Sequence, residues 1–158
     1  MFTDAYLLTP ANSKGKLPAV VVFHPTVSNH THQVAGIDAS DPEKMHGVPL
    51  VLRGYVVLCP RCFIFDEGAD YAENVKWMQA RHPGWTGMAR MTWDGLRAAD
   101  DLESLPQVDA ERIGCLGHSL GAKESLEWLN HRLGHRYPPA ARGAAEEFLD
   151  RHVKRGKK

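Results

Sequence analysis

The feature that most constrains the fold of this chain is a glycine-flanked serine between an apolar run and an amphipathic segment. Residues 112–116 predict a strand that runs directly into the string GHSLG at 117–121, and a helical pattern follows. In this strand-to-helix context the string predicts a tight turn that holds Ser119 in the left-handed backbone region. The two glycines allow strand and helix to approach closely. We therefore predict that the Ser119 hydroxyl stands above the sheet edge, beside the backbone N–H of Leu120.

Three more runs predict strands. Residues 19–23 and 54–59 are continuous apolar runs that contain β-branched valines, as is typical of strands that are buried on both faces of a parallel sheet, and residues 6–8 predict a short edge strand. Helices are expected at 41–52, 71–81 and 88–105, and a last helix is expected to begin at 138–139. Because strands and helices alternate, we predict an α/β fold with a mostly parallel sheet, built as a single domain over residues 1–158.

The helix after Ser119 is expected to run to about residue 130. Its apolar spacing predicts that Ala122, Leu126 and Leu129 face inward. Consecutive residues on a tight turn point apart, so His118 is expected to pack into the sheet and not to act on the serine.

Composition excludes several kinds of partner. Lys plus Arg and Asp plus Glu both total 19, so the chain has no net charge that would attract nucleic acid or an anionic membrane, and neither partner is expected.

No run approaches the length of a membrane span, and the first residues lack the pattern of a signal peptide. The three cysteines are too few and odd in number for a secreted disulfide framework. We therefore expect reduced thiols and a cytoplasmic protein.

The geometry expected at the serine suits covalent catalysis. A helix N-terminus and the Leu120 N–H would lie where an oxyanion develops during attack by Ser119. The alternative is a turn whose serine merely caps the helix. The preceding strand favours the catalytic interpretation.

Three blocks of sequence resemble the dienelactone-hydrolase-like branch of the α/β-hydrolases. They are VVVFHPT at 20–26, GYVVLCP at 54–60 and DAERIGCLGHSLG at 109–121. The resemblance implies a three-layer α/β-hydrolase fold. It also implies hydrolysis of small carboxylic esters or lactones by Ser119, without a cofactor.

The same resemblance implies further site residues. A second oxyanion N–H would come from Thr26 or Val27, facing that of Leu120, although His24 and Thr26 are equally compatible with structural roles in the loop. The segment LGHRYPP at 133–139 is similar to the family's histidine loop, which makes His135 the candidate base. Its alternative is a surface histidine.

One part of the family pattern is absent. In the family several strands, one of which carries the triad acid, separate the nucleophile helix from the histidine. Here residues 120–134 alone lie between Ser119 and His135, and their carboxylates, Glu124 and Glu127, fall on the predicted helix. The chain therefore resembles a truncated, minimal α/β-hydrolase. Either Asp66 or Glu67, which follow the second buried strand, supplies the acid, or the site is a Ser–His dyad.

The missing stretch has a second consequence. The outer edge of the 112–116 strand would be bare, and bare edges are usually paired or covered. We expect a homodimer that buries this edge, by strand pairing or by exchange of the C-terminal segment.

The sequence is also compatible with two functions other than a serine hydrolase. One is an inactive hydrolase-like module that has been retained for binding or assembly. The other is a redox or metal protein that uses the C-x-x-C spacing of Cys59 and Cys62. A zinc site normally needs a second pair of ligands, which the sequence does not offer, so no metal is expected.

Overall fold

A computed structural model describes residues 4–66, 70–133 and 147. Within them four strands form one sheet in the order β1 (Ala5–Leu8), β3 (Val56–Pro60), β2 (Leu17–Phe23) and β4 (Val108–Gly117). β2 pairs in parallel with both β3 and β4, whereas β1 pairs antiparallel with β3. The predicted α/β class and the mostly parallel sheet are confirmed.

The described helices are α1 (His30–Ala35), α2 (Gly47–Leu52), α3 (Tyr71–Arg81), α4 (Gly87–Ser104) and α5 (Leu120–Leu133). Side-chain caps explain where two of them begin, because Asp70 accepts the Glu73 N–H at 2.8 Å and Thr86 accepts the Ala89 N–H at 3.1 Å. The helix expected at 41–52 is instead a 3-10 turn followed by α2. α1 was not predicted, since six residues are too few to establish a period. The last helix, expected to begin at 138–139, lies outside the described residues, apart from Glu147, which is helical.

β2 and β3 are buried on both faces, as predicted. One face of β2, which includes Val21 and Phe23, packs with Leu102 of α4. Val20 and Val22 on the opposite face pack with Val34 and Ala35 of α1. Cover on both faces explains why the sequences of these strands are apolar at every position.

β4 lies at the edge of the sheet that the described residues form. Its side chains alternate, with Ile113 and Cys115 partly buried against the core and Gly114 and Leu116 exposed on the other face. Among the described residues, no strand pairs with the outer edge of β4, and a bare edge at 112–116 stays a prediction.

The predicted inward face of α5 is wrong. Ala122, Leu126 and Leu129 are exposed, Leu126 by 60%. The buried residues of the helix include Gly121, Glu124 and Trp128, which recur at the spacing of one helical face. The turn before the helix sets this phase, because it brings Gly121 against the carbonyl of Phe23.

The chain divides into two compact units, Met1–Trp128 and Leu129–Lys158. The first contains the four described strands, α1 to α4 and most of α5. The second contributes the last residues of α5 to the described part. A single domain over 1–158 remains a prediction. No described helix is both long and apolar enough to cross a membrane.

The turn between β4 and α5 has the strained geometry that the sequence predicts. Ser119 has a φ of 56°, in the left-handed region that residues other than glycine rarely adopt. A Cβ on Gly117 would lie 2.1 Å from the carbonyl oxygen of Gly121, and one on Gly121 would lie 2.3 Å from that of Phe23. Both positions therefore require glycine.

Substitution of Gly121 by alanine tests this packing. Gly121→Ala is expected to lower the free energy of unfolding by about 3 kcal/mol, because the methyl group meets backbone that cannot move aside. Gly114→Ala is the matched control, since a Cβ there meets nothing within 4 Å, and its effect should stay within about 0.5 kcal/mol. Urea denaturation measures both. Equal stabilities of the two variants would contradict the close approach.

Candidate functional site

The candidate nucleophile and one candidate oxyanion donor are neighbours at the start of α5. Ser119 is exposed. Leu120 is the first residue of the helix, so its N–H has no carbonyl partner within the helix and lies at the positive end of the helix dipole. This arrangement suits a hydroxyl that attacks a carbonyl group and an amide that receives the developing negative charge.

The second candidate donor, Thr26, is exposed in the loop that follows β2, and Val27 beside it is half-buried. The end of β2 meets the start of α5, since the carbonyl of Phe23 lies against Gly121. The loop that carries Thr26 therefore begins next to the serine turn, at the edge of the sheet where β2 and β4 both end.

His24 is a structural residue of this loop. It is 2% exposed, and Phe65 packs against its ring edge-on at 5.1 Å between centroids. The N–H of Cys62 donates to Nε2 at 3.0 Å, so the ring proton is on Nδ1, which donates to the carbonyl of Pro25 at 2.8 Å. Burial lowers the pKa of His24 to about 4, and the ring is therefore neutral at physiological pH.

Among the three other predicted catalytic residues, the structure describes only Asp66. Glu67 and His135 lie outside the described residues. The carboxylate of Asp66 is 4.0 Å from the Nε of Arg61, and no described histidine is among its partners. Burial raises the pKa of Asp66, and the positive charges of Arg61 and Arg90 oppose that shift.

His118 does not pack into the sheet, and that prediction is wrong. Its side chain is exposed, and it interacts electrostatically with Asp41 and His46. It continues the face of β4 that carries Leu116, which is itself exposed. Within the described sheet β4 is an edge strand, so no further described strand lies beside His118 to pack against it.

A buried carboxyl group on the nucleophile helix was not predicted as a site residue. Glu124 is 5% exposed, its carboxyl group interacts with the Cys62 thiol, and its Oε1 has no hydrogen-bond partner within the described part of the chain. Burial raises the pKa of Glu124 to about 8, the contact with the Cys62 thiol opposes that shift, and the charge of Asp94 adds to it. Glu124 lies three residues after Gly121, one turn along the buried face of α5. This spacing is the sequence signal that could have identified it as buried.

The C-x-x-C pair consists of two buried, free thiols, Cys59 and Cys62. Burial raises the pKa of Cys59 to about 12 and that of Cys62 well above its usual value. Neither thiol is a thiolate at neutral pH, so neither is an activated nucleophile. Among the described residues, no three side chains group as a metal site would require.

Comparison with solved structures supports the fold. The chain is similar to a candidate acetyl xylan esterase from Bacteroides fragilis, with a TM-score of 0.67 and 17% identity over 78% of this chain and 36% of that one. It is also similar to Est1E from Butyrivibrio proteoclasticus with ferulic acid bound (TM-score 0.58, 20% identity, 83% and 44% coverage). A glucuronoyl esterase from Solibacter usitatus gives a TM-score of 0.58 and 22% identity, with 83% and 41% coverage.

The chain spans less than half the length of each of these three structures. No curated protein matched it. The model of the dienelactone hydrolase family, however, matches residues 3–134, which is most of the chain and includes the serine turn. With its α/β-hydrolase fold and its strand-turn-helix at Ser119, this chain belongs to the dienelactone hydrolase family.

Proposed function

We propose that this protein is a serine hydrolase that cleaves small carboxylic esters or lactones, with Ser119 as the nucleophile. The observation that carries the proposal is the left-handed backbone of Ser119, held between β4 and α5 by two glycines that tolerate no side chain. Such strain persists where the surrounding structure enforces it, and it is concentrated at functional sites. The family and the esterases of similar fold are consistent with ester hydrolysis.

The proposed reaction has two steps. The Ser119 oxygen attacks the ester carbonyl while His135 takes its proton, and the oxyanion is held by the N–H groups of Leu120 and Thr26. The bond to the alkoxide then breaks, the alkoxide takes the proton from His135, and an acyl-serine remains. Water attacks the acyl-serine by the same route, which gives the carboxylic acid and the free enzyme. None of these steps needs a cofactor.

We also propose that Asp66 or Glu67 assists His135 as the acid. Asp66 follows β3, whose end lies at the same sheet edge as the ends of β2 and β4. Its partial burial suits a carboxylate that acts on an imidazole, but Arg61 competes for it. If neither Asp66→Asn nor Glu67→Gln changes turnover, the site works as a Ser–His dyad.

Hydrolysis of p-nitrophenyl acetate and butyrate tests the proposal. Ser119→Ala and His135→Ala are each expected to lower kcat/KM by at least about 100-fold, the contribution typical of a general base. Ser13→Ala and His131→Ala are the matched controls, because both side chains are exposed and neither is assigned to the site, and they should retain wild-type activity. Activity that survives Ser119→Ala would contradict the proposal.

A second candidate function is an inactive hydrolase-like module that binds or assembles. It is favoured by one observation, which is that the chain covers only 36–44% of the three esterase structures. A folded wild-type protein with no activity above background on either ester would move this candidate to first place.

We propose that the outer edge of β4 pairs with a second copy of the chain. β4 is the longest strand of the described sheet, it lies at the edge, and Leu116 on it is exposed. Light scattering at micromolar concentration should therefore give the mass of a dimer. Leu116→Lys should give a monomer, because an edge lysine opposes strand pairing, whereas Leu52→Lys, at a position 83% exposed on α2, should remain dimeric. A monomeric wild-type mass would contradict this proposal.

We infer a reducing compartment, as in the cytoplasm. All three cysteines are free, and the two of the C-x-x-C pair are buried. Disulfides form and persist in oxidising compartments, and this protein is not built around one. Thiol titration of the denatured protein, purified without reductant, should give three thiols. A disulfide between Cys59 and Cys62 would contradict the inference.

A further inference from the structure

The described part of the chain contains a cavity of about 420 Å³ that the proposed reaction does not use. Its volume lies in the range of small-molecule binding sites. The wall is formed by the start of β1, the start of α1 and the residue that follows β3. The polar side chains that line it are those of Asp4, Tyr6, His30, Thr31, His32 and Arg61.

The cavity lies at the same edge of the sheet as Ser119. Arg61 follows β3 and α1 follows β2, so both reach the wall from the carboxyl ends of parallel strands. β1 runs antiparallel to β3 and pairs Ala5 with Pro60, which brings its first residues to the same edge. The strand order places the ends of β1 and β4 three strand spacings apart, or roughly 14 Å. An extended substrate with its ester bond at Ser119 can therefore reach the cavity.

One residue of the cavity wall has a strained backbone. His30 has a φ of 24°, a positive value that is costly for a residue with a Cβ. Its ring lies among other planar side chains, 6.1 Å from that of His32 and 5.8 Å from that of Phe65 between centroids. A strained backbone is retained where packing holds it, and such places cluster at ligand-binding and catalytic sites.

The charges at the cavity are already balanced. The guanidinium group of Arg61 is paired with the carboxylate of Asp4, and the carboxylate of Asp66 is 4.0 Å from its Nε. An anionic ligand would meet these two carboxylates, and a cationic ligand would meet the guanidinium group. The cavity therefore suits a neutral ligand.

The other polar groups of the wall include both donors and acceptors. The hydroxyl of Tyr6 is hydrogen-bonded to Nε2 of His32 at 2.7 Å, and that of Thr31 to Nδ1 of His30 at 3.1 Å. Each hydroxyl donates one hydrogen bond and accepts up to two, so these contacts fix its position and leave capacity for a ligand. Hydroxyl groups on the ligand, which also donate and accept, match this mixed set.

Flat rings supply the apolar contact. The rings of Tyr6 and His32 lie 5.3 Å apart between centroids, and that of His30 continues the group. Of the described residues that line the cavity, Ala5 alone has a purely apolar side chain. A purely apolar ligand would therefore bury polar groups without partners. A sugar ring fits better, because it has C–H groups on its faces and hydroxyl groups around its rim.

We propose that this cavity binds a neutral saccharide, through hydrogen bonds to Tyr6, Thr31 and His32 and contact with their rings. This binding does not depend on the proposed function. A second step rests on that function: the substrate is an acylated oligosaccharide, with its ester bond at Ser119 and its distal sugar in the cavity.

Titration of the ¹⁵N-labelled protein with xylobiose and with cellobiose tests binding without any activity. The amide resonances of Tyr6, Thr31 and His32 should shift and saturate at millimolar sugar, whereas that of Ser104, at the end of α4, should stay in place. Sodium acetate and sodium phosphate at equal ionic strength should leave the cavity resonances unchanged. No saturable shift with either sugar, or a larger saturable shift with either anion, would overturn the proposal.

Two Tyr6 variants separate the hydroxyl from the ring. Tyr6→Phe should raise the Kd of the bound disaccharide about fivefold, the loss typical of one neutral hydrogen bond. Tyr6→Ala, which also removes the ring, should raise it at least about twentyfold. Tyr71→Phe is the matched control, since Tyr71 is exposed on α3 and does not line the cavity, and its Kd should equal that of the wild type. Urea denaturation checks that each variant is folded. A wild-type Kd in folded Tyr6→Phe would contradict the proposed contact.

Release of acetate from acetylated xylobiose, measured beside hydrolysis of p-nitrophenyl acetate, tests the substrate class. The ratio of kcat/KM for the sugar ester to that for p-nitrophenyl acetate should be about fivefold lower in Tyr6→Phe than in the wild type. An unchanged ratio would overturn the oligosaccharide substrate. If the wild type binds the sugars but cleaves neither ester, the cavity assignment stands and the hydrolase proposal falls. If it cleaves p-nitrophenyl acetate but binds neither sugar, the hydrolase proposal stands and this inference is wrong.

Discussion

The contact between Gly121 and the carbonyl of Phe23 is the constraint on which the site depends. A Cβ at Gly121 would lie 2.3 Å from that oxygen, so the start of α5 and the end of β2 approach as closely as backbone allows. This approach sets the phase of α5, turns Glu124 and Trp128 toward the core and keeps Ser119 in its left-handed conformation. The same contact brings the loop that carries Thr26 next to the serine turn.

Much of this fold is predictable from the sequence, for reasons visible in particular segments. β2 and β3 are apolar at consecutive positions because helices cover both of their faces, and α4 has a regular apolar period. The string GHSLG predicts the geometry of its turn, since a side chain at either glycine would clash with nearby backbone. α1 was not predicted, because six residues carry no recognisable period. The face of α5 was predicted wrongly because Leu126 and Leu129 follow a helical spacing that the turn rotates away from the core.

The site is less predictable than the fold. Ser119 and Leu120 follow from a local motif, whereas the acid depends on which loops meet in space. Asp66 follows β3 as expected, but its carboxylate faces Arg61. The spacing of these two residues in the sequence forms no motif that would predict their ion pair. The buried pair of Glu124 and Cys62 joins two segments that are distant in sequence. Its existence follows from tertiary packing and not from the spacing of either residue in its own segment.

The central claim is that Ser119 is an activated nucleophile, and phosphonylation tests it most directly. A fluorophosphonate should add one phosphonyl group to the intact protein, the modified peptide should contain Ser119, and Ser119→Ala should prevent the reaction. Labelling that is absent from the folded wild type, or that persists in Ser119→Ala, would show that the strained turn is architecture without a working nucleophile.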